Sequence, residues 1–268
     1  MLFRSGMTDS IQKAQRDGKC NWIRQNQPEI WKKTHKFLQV SGLLNFRLTG
    51  TFRDSVASQI GHVPFDYKRQ KWGNPKRLFV FSAKLYPIEK DKLPELVKPG
   101  ETIGQITEWA AEKTGLPAGL PVIACGSDKG CETLGMGVLN NETASLSFGT
   151  TATIQTTSKK YREPIRYMPS YPAVYPGYFN PEVEIFRGFW MISWFKNEFA
   201  HSEVLIARKL GIPVEKLLDK LLHQSPPGAM GLVVQPYWSP GLSQPEAKGA
   251  MIGFGDVHKK EQDRKSVV

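Results

Sequence analysis

Val122-Ile-Ala-Cys-Gly126-Ser-Asp128-Lys-Gly130, followed one helix-length later by Ser145-Leu-Ser-Phe-Gly149-Thr150-Thr151-Ala-Thr-Ile154, decides how this chain is read. The apolar run Val122 to Ala124 predicts a strand that ends in Gly126 and Ser127 and delivers one carboxylate, Asp128, to the start of a helix. From Gly130 to Leu139 the glycines stand at close-packing positions, with Leu134, Met136 and Val138 as apolar fill. A second strand-like run ends in Gly149-Thr150-Thr151, where backbone N–H groups and two hydroxyls can cradle an anion. From position alone Asp128 reads as a helix N-cap before it reads as a base, and Gly149 to Thr151 as a plain hairpin turn before a phosphate cradle.

The pattern outward from these two stretches is mixed α and β. Glu29 to Thr49 reads as one long helix, with Ile30, Phe37, Leu38 and Leu48 near one face and Gly50 as its stop. Asp54 suits the N-cap of a shorter helix. Pro64 to Pro75 reads as an irregular excursion. Thr102 to Thr114 has helical periodicity closed by Gly115, and Leu116 to Pro121 loops into the Val122 strand. Thr143 to Phe148 and Thr151 to Thr156 read as a hairpin. Tyr161 to Pro181 reads as extended segments and loops. Helices are expected over Phe189 to Phe199, Ser202 to Gly211 and Pro213 to His223, then a short buried strand over Gly231 to Pro236. The change of pattern near Val138–Thr143 marks a domain boundary.

Gly126-x-Asp128 followed by Ser147-x-Gly149-Thr150-Thr151 resembles the middle of an FGGY-type carbohydrate kinase of the xylulokinase and glycerol kinase kind. Leu43 to Gly50 resembles the family's Leu-Thr-Gly segment, and Asp54-Ser-Val-Ala-Ser58 the Asp-x-x-x-Ala-Ser after it. Leu96 to Gly104 resembles the connector before the central helix, and Gly249 to Phe254 a motif inside the second domain. The ordered set runs from about Trp31 to His258. Family members are roughly twice as long and open with an Asp-x-Gly-Thr motif that these residues do not show, so a fragment lacking both ends, and itself inactive as a kinase, is expected. The resemblance implies an α/β fold of ribonuclease-H-like (actin-like ATPase) type with two domains, both incomplete. Residues 1–138 would be the C-terminal part of the sugar-binding N-terminal domain, and 139–268 the beginning of the nucleotide-binding domain.

The resemblance also implies chemistry. Asp128 becomes the general base that takes the proton of a sugar, polyol or sugar-acid hydroxyl while its oxygen attacks the γ-phosphate of ATP. Gly149, Thr150 and Thr151 become the phosphate cradle, with Gly188 and Ser193 near the nucleotide, and magnesium accompanies ATP. Lys129 stands where several relatives carry a sugar-touching amide. It can act on the Asp128 carboxylate, bind an anionic sugar acid, or face solvent. Two alternatives of other kinds remain: a non-catalytic sugar-binding fragment, and an actin-like structural ATPase, which the Leu-Thr-Gly and Asp-Lys-Gly-Cys segments disfavour.

Composition bounds the partners. A formal net charge of +11 invites a nucleic-acid reading. The lysines and arginines are nevertheless scattered in pairs, Lys32-Lys33, Lys68-Arg69, Lys159-Lys160 and Lys259-Lys260, with no basic stripe interleaved with aromatics, so no nucleic-acid partner is expected. No apolar run reaches membrane-spanning length, and no secretory signal is expected from the opening residues. Three dispersed cysteines fit a reducing cytoplasm. Cys125 and Cys131 are expected to be small buried residues, and the five histidines lack metal spacing, so no metal site is expected on the protein. A homodimer is compatible with the family.

Overall fold

A computed structural model gives the fold and describes residues 12–13, 15–74, 84–149, 151–165, 168–239 and 246–258. The chain forms two compact units, the first comprising Met1–Ser145 with Ile154–Val183, the second Leu146–Thr153 with Glu184–Val268.

The first unit contains the helices α1 (Lys19–Asn26), α2 (Pro28–Lys33) and α3 (Val40–Thr49). The expected single helix over Glu29 to Thr49 is therefore broken. Periodicity continues through the break, but the backbone there bonds elsewhere. Phe37 N donates to Lys92 O at 2.7 Å, and Lys92 Nζ reaches back to Thr34 O at 2.7 Å. Lys36 Nζ donates to Asp91 O and Leu93 O. Gly50 ends α3 as expected, in the left-handed conformation at φ 71° that glycine adopts without penalty.

After α3 come β1 (Arg53–Ser55), a 3₁₀ turn over Val56–Ser58, and the hairpin of β2 (Phe65–Asp66) and β3 (Lys71–Trp72). β4 (Glu95–Val97) then pairs parallel with β1, setting Asp54 opposite Leu96. Asp54 caps no helix. It lies within β1 at 2% exposure, and the 3₁₀ turn is capped instead by Ser55, whose side chain accepts from Ala57 N.

The expected helix over Thr102 to Thr114 divides into β5 (Thr102–Gln105) and α4 (Glu108–Thr114), the latter capped by Thr107. β5 pairs antiparallel with β6 (Pro121–Ile123), and a Cβ on Gly104 would sit 2.8 Å from Thr49 Cβ. Close approach of β5 to α3 thus overrides the helical pattern. α5 (Asp128–Gly135) follows. Val138 is buried as expected, whereas Leu134 and Met136 are exposed and fill no core among the described residues.

Next come β7 (Ser145–Phe148), β8 (Ala152–Gln155), β9 (Tyr171–Pro172), β10 (Phe179–Asn180) and β11 (Glu182–Ile185). β11, β8 and β7 form one sheet in that order, and β9 pairs antiparallel with β10. The core of the first unit is built from three clusters: Cys20, Trp31, Tyr86, Ile88 and Leu93; Val56, Val63 and Phe65; and Val97, Ile103 and Ala124.

In the second unit α6 (Trp190–Phe199), α7 (His201–Leu210) and α8 (Val214–Gln224) fall within two residues of their expected bounds. Phe195, Ala200 and Leu218 are fully buried at their centre. β12 (Val233–Gln235) pairs antiparallel with β13 (Ala250–Ile252). The strand expected to be buried is open, with Val233 56% exposed. No helix of the described residues is long and apolar enough to cross a membrane.

Candidate active site

The Asp128 turn is made by sterics before it is made by hydrogen bonds. A Cβ on Gly126 would meet Val174 Cγ2 at 2.5 Å and Ala57 Cβ at 3.1 Å, so only glycine lets the chain leave β6 on this path. Ala57 O accepts from Ser127 N at 3.0 Å, and the Ser55 hydroxyl donates to Cys125 O in a short bond. Ser127, with φ −63° and ψ 159°, is the N-cap of α5, its hydroxyl accepting from Gly130 N at 3.2 Å. The cap role is thus filled by Ser127. Asp128 is left at the first helical position, exposed, with Oδ1 accepting from its neighbour Lys129 N at 2.8 Å. Its charge stands at the positive end of the helix dipole.

Lys129 does not simply face solvent. Its ammonium lies 2.8 Å from Glu182 Oε1, with the lysine side chain 34% exposed and the glutamate 6%. The second oxygen of Glu182 accepts from Gln155 Nε2 at 3.4 Å. Gln155 Oε1 in turn accepts from the Thr133 hydroxyl, which lies 3.3 Å from Ser145 Oγ. A buried polar chain therefore runs from the first turn of α5 through β11 and β8. The sequence did not single out Glu182. Alternation along Glu182-Val-Glu-Ile185 puts both glutamates on one side, and nothing local distinguishes the buried one.

Cys125 and Cys131 are both exposed, contrary to expectation, and only Cys20 is buried. The physical reason is their place: they flank Asp128 at ±3 residues, on the open side of the turn.

The other expected residues lie in the second unit. Gly149 N donates to Thr151 O at 3.1 Å, and Gly149 O accepts from Phe189 N at 3.2 Å, which brings the turn and the start of α6 together. A Cβ on Gly188 would lie 2.3 Å from both Ala152 N and Ala152 Cβ, so glycine is required there for packing. Ser193 is exposed on α6, and Thr150 lies outside the described residues. Arg187, absent from the sequence reading, places its guanidinium 4.8 Å from the Trp190 ring centroid. Thr151 is half-buried, and its hydroxyl has no hydrogen bond among the described residues. It therefore fits a phosphate oxygen, whereas the Gly149 amide is already engaged. Among the described residues no three His, Cys, Asp or Glu side chains are grouped to hold a metal ion.

Known proteins resemble this α/β chain in sequence and in fold. Residues 8–135 match the N-terminal domain of the FGGY family of carbohydrate kinases. An uncharacterized sugar kinase, YgcE, of Escherichia coli (strain K12) is 35% identical over 220 residues, 80% of this chain and 43% of that protein. The crystal structure of xylulose kinase from Rhodospirillum rubrum superimposes with a TM-score of 0.77 at 21% identity, covering 96% of this chain and 48% of the other. Plasmodium falciparum glycerol kinase, solved with ADP, gives 0.72 at 15% identity over 98% and 55%. The chain belongs to the FGGY family of carbohydrate kinases and spans about half the length of the relatives it matches.

Proposed function

We propose that this chain is part of a cytoplasmic ATP-dependent kinase that phosphorylates a hydroxyl of a sugar, polyol or sugar acid, with Asp128 as general base. The observation that carries the reading is an exposed carboxylate at the first position of α5, on a turn whose cap, glycine and backbone bonds are all otherwise satisfied. Such a group is free to accept a proton and fixed in place, which is what in-line transfer asks of a protein. The substrate hydroxyl gives its proton to Asp128 as its oxygen bonds to the γ-phosphorus. The bond from that phosphorus to the β–γ bridging oxygen breaks, and ADP departs. Magnesium, when bound with ATP, neutralises charge on the phosphate oxygens.

Lys129 has three N–H donors and uses one on Glu182, which leaves others for a substrate hydroxyl. Because Glu182 already answers its charge, this pairing favours a neutral sugar or polyol over a sugar acid. Thr151 binds nucleotide phosphate through its hydroxyl with Thr150 beside it, while Gly149 and Gly188 shape the turn and its packing on α6 and Ser193 contributes from the first turn of that helix. In this reading residues 1–138 are the C-terminal part of the sugar-binding domain and 139–268 the beginning of the nucleotide-binding domain.

The test is ADP release with a panel of sugars and polyols, comparing the whole kinase that contains these residues with its Asp128→Asn variant. The substitution is expected to lower turnover by roughly 10²–10⁴-fold, the usual worth of a general base, with ATP affinity unchanged. Turnover within a few-fold of the unsubstituted whole kinase removes Asp128 from the mechanism. Sugar binding without any ADP release from the whole protein points to the non-catalytic alternative.

A further inference from the structure

Asp54 is the most deeply buried carboxylate described, at 2% exposure, and no Lys, Arg or His among the described residues pairs with it. Its charge is met only by donors. Oδ2 accepts from Ser41 Oγ at 2.8 Å and Gln59 Nε2 at 2.9 Å, while Oδ1 accepts from Asn45 Nδ2 at 3.2 Å and Ser55 N at 2.8 Å. Gly42 makes the room, since a Cβ there would lie 3.3 Å from Oδ2. An unpaired buried charge is costly even when well bonded. What this one secures is a junction: α3, through Ser41 and Asn45, is tied to β1 and to the turn that carries Gln59.

That junction leads to Asp128. Gln59 Nε2 also donates to Ser55 O at 3.0 Å. Ser55, held on both sides, donates its hydroxyl to Cys125 O and accepts from Ala57 N at 3.1 Å. Ala57 O then receives Ser127 N. Both hydrogen bonds that hold the turn before Asp128, one from the Ser55 side chain and one from the Ala57 backbone, therefore spring from the segment Asp54 anchors, and all of these residues lie in one compact unit. We propose that Asp54 is a positioning residue whose buried carboxylate fixes the Cys125–Ser127 turn and, through it, the placement of Asp128. The catalytic half of this statement rests on the kinase reading; the positional half does not.

The experiment measures amide hydrogen exchange by NMR in the 268-residue chain and in Asp54→Asn, which keeps size and removes charge. Exchange at Ser127 and Ala57 is expected to rise about tenfold or more, as local opening becomes cheaper. Ala111 and Gly115 of the α4 region, in the same unit, are expected to stay within about twofold. Ser55→Ala should reproduce the effect, and adding Asp54→Asn to it should add little, because both act through one path. If Asp54→Asn does not fold, Ser41→Ala, which removes one of the four donors, should show a smaller acceleration at the same amides. Unchanged exchange at Ser127, acceleration shared equally by Ala111 and Gly115, or effects that multiply in the double variant each overturn the proposal. Where turnover is measurable, kcat should fall about 10- to 100-fold with the KM for ATP unchanged, the signature of a misplaced rather than missing base. Absence of turnover in the whole protein that contains these residues sinks the kinase reading and leaves the exchange result to stand or fall alone.

Discussion

The Lys129–Glu182 pair should answer unequally to the loss of its two members. At 2.8 Å and an effective dielectric near 20 the gross attraction is about 6 kcal/mol, most of it offset by desolvation. The informative quantity is therefore what each deletion leaves behind. Lys129→Met leaves Glu182 at 6% exposure with only the 3.4 Å bond from Gln155. Removing one partner of a buried pair costs about 3–5 kcal/mol, and the 34% exposure of the lysine reduces this to roughly 2–4. Glu182→Gln leaves a lysine that reaches water and an amide oxygen that still accepts its hydrogen bond, so about 0.5–1.5 kcal/mol is expected. Urea unfolding followed by far-UV circular dichroism and tryptophan fluorescence would measure both. Because the chain has two compact units, the transition is fitted with a phase for each. Equal costs, or a larger cost for Glu182→Gln, would refute the reasoning by showing that the glutamate is not effectively buried.

Thr151→Val keeps shape and strand preference but deletes the free hydroxyl. It should weaken binding of an ATP analogue about tenfold, the worth of one hydrogen bond to a charged group, and leave sugar binding unchanged. Titration calorimetry on each ligand would show this, and equal losses would mean a folding defect. Gly188→Ala forces a methyl to 2.3 Å from Ala152 and should cost about 1–3 kcal/mol. Gly135→Ala, with no atom within 4 Å of the added methyl, should be neutral or stabilising in the same unfolding assay. Burial raises the Tyr86 hydroxyl from 10.0 to about 12, with the nearby Cys20 and Asp17 adding to the rise. The folded state therefore holds that proton above pH 10 when the unfolded chain has lost it. The resulting stability is complete below about pH 10 and is lost as pH rises toward 12. Tyr86→Phe should shift the alkaline unfolding midpoint upward, and an unshifted midpoint by circular dichroism would count against it.

The parts legible in the sequence are those written in local backbone chemistry. Gly50 and Gly115 stop their helices at φ 71° and 75°, where other residues would be strained. The glycine and serine before Asp128 announce a turn into a helix, although the cap is Ser127 and not Asp128, and α6 to α8 follow from apolar periodicity alone. The family was readable too, because its motifs are short stretches of this same kind. What the sequence could not settle were contests between local preference and a partner far along the chain. The helix over Glu29 to Thr49 breaks because Lys92, some 55 residues away from Phe37, supplies the acceptor for its amide. Asp54 has the pattern of a cap, yet Ser41, Asn45 and Gln59 converge on it and draw it into the interior. Glu182 and Glu184 look alike in sequence, and only the position of Lys129 makes one of them a buried partner. Cys125 and Cys131 have the composition of core residues and lie open, because the turn they flank is pinned from its other side by Ala57 and Val174. Local pattern determines where the backbone can turn or coil; which side chains end up buried, paired or exposed is decided by neighbours that only folding brings together.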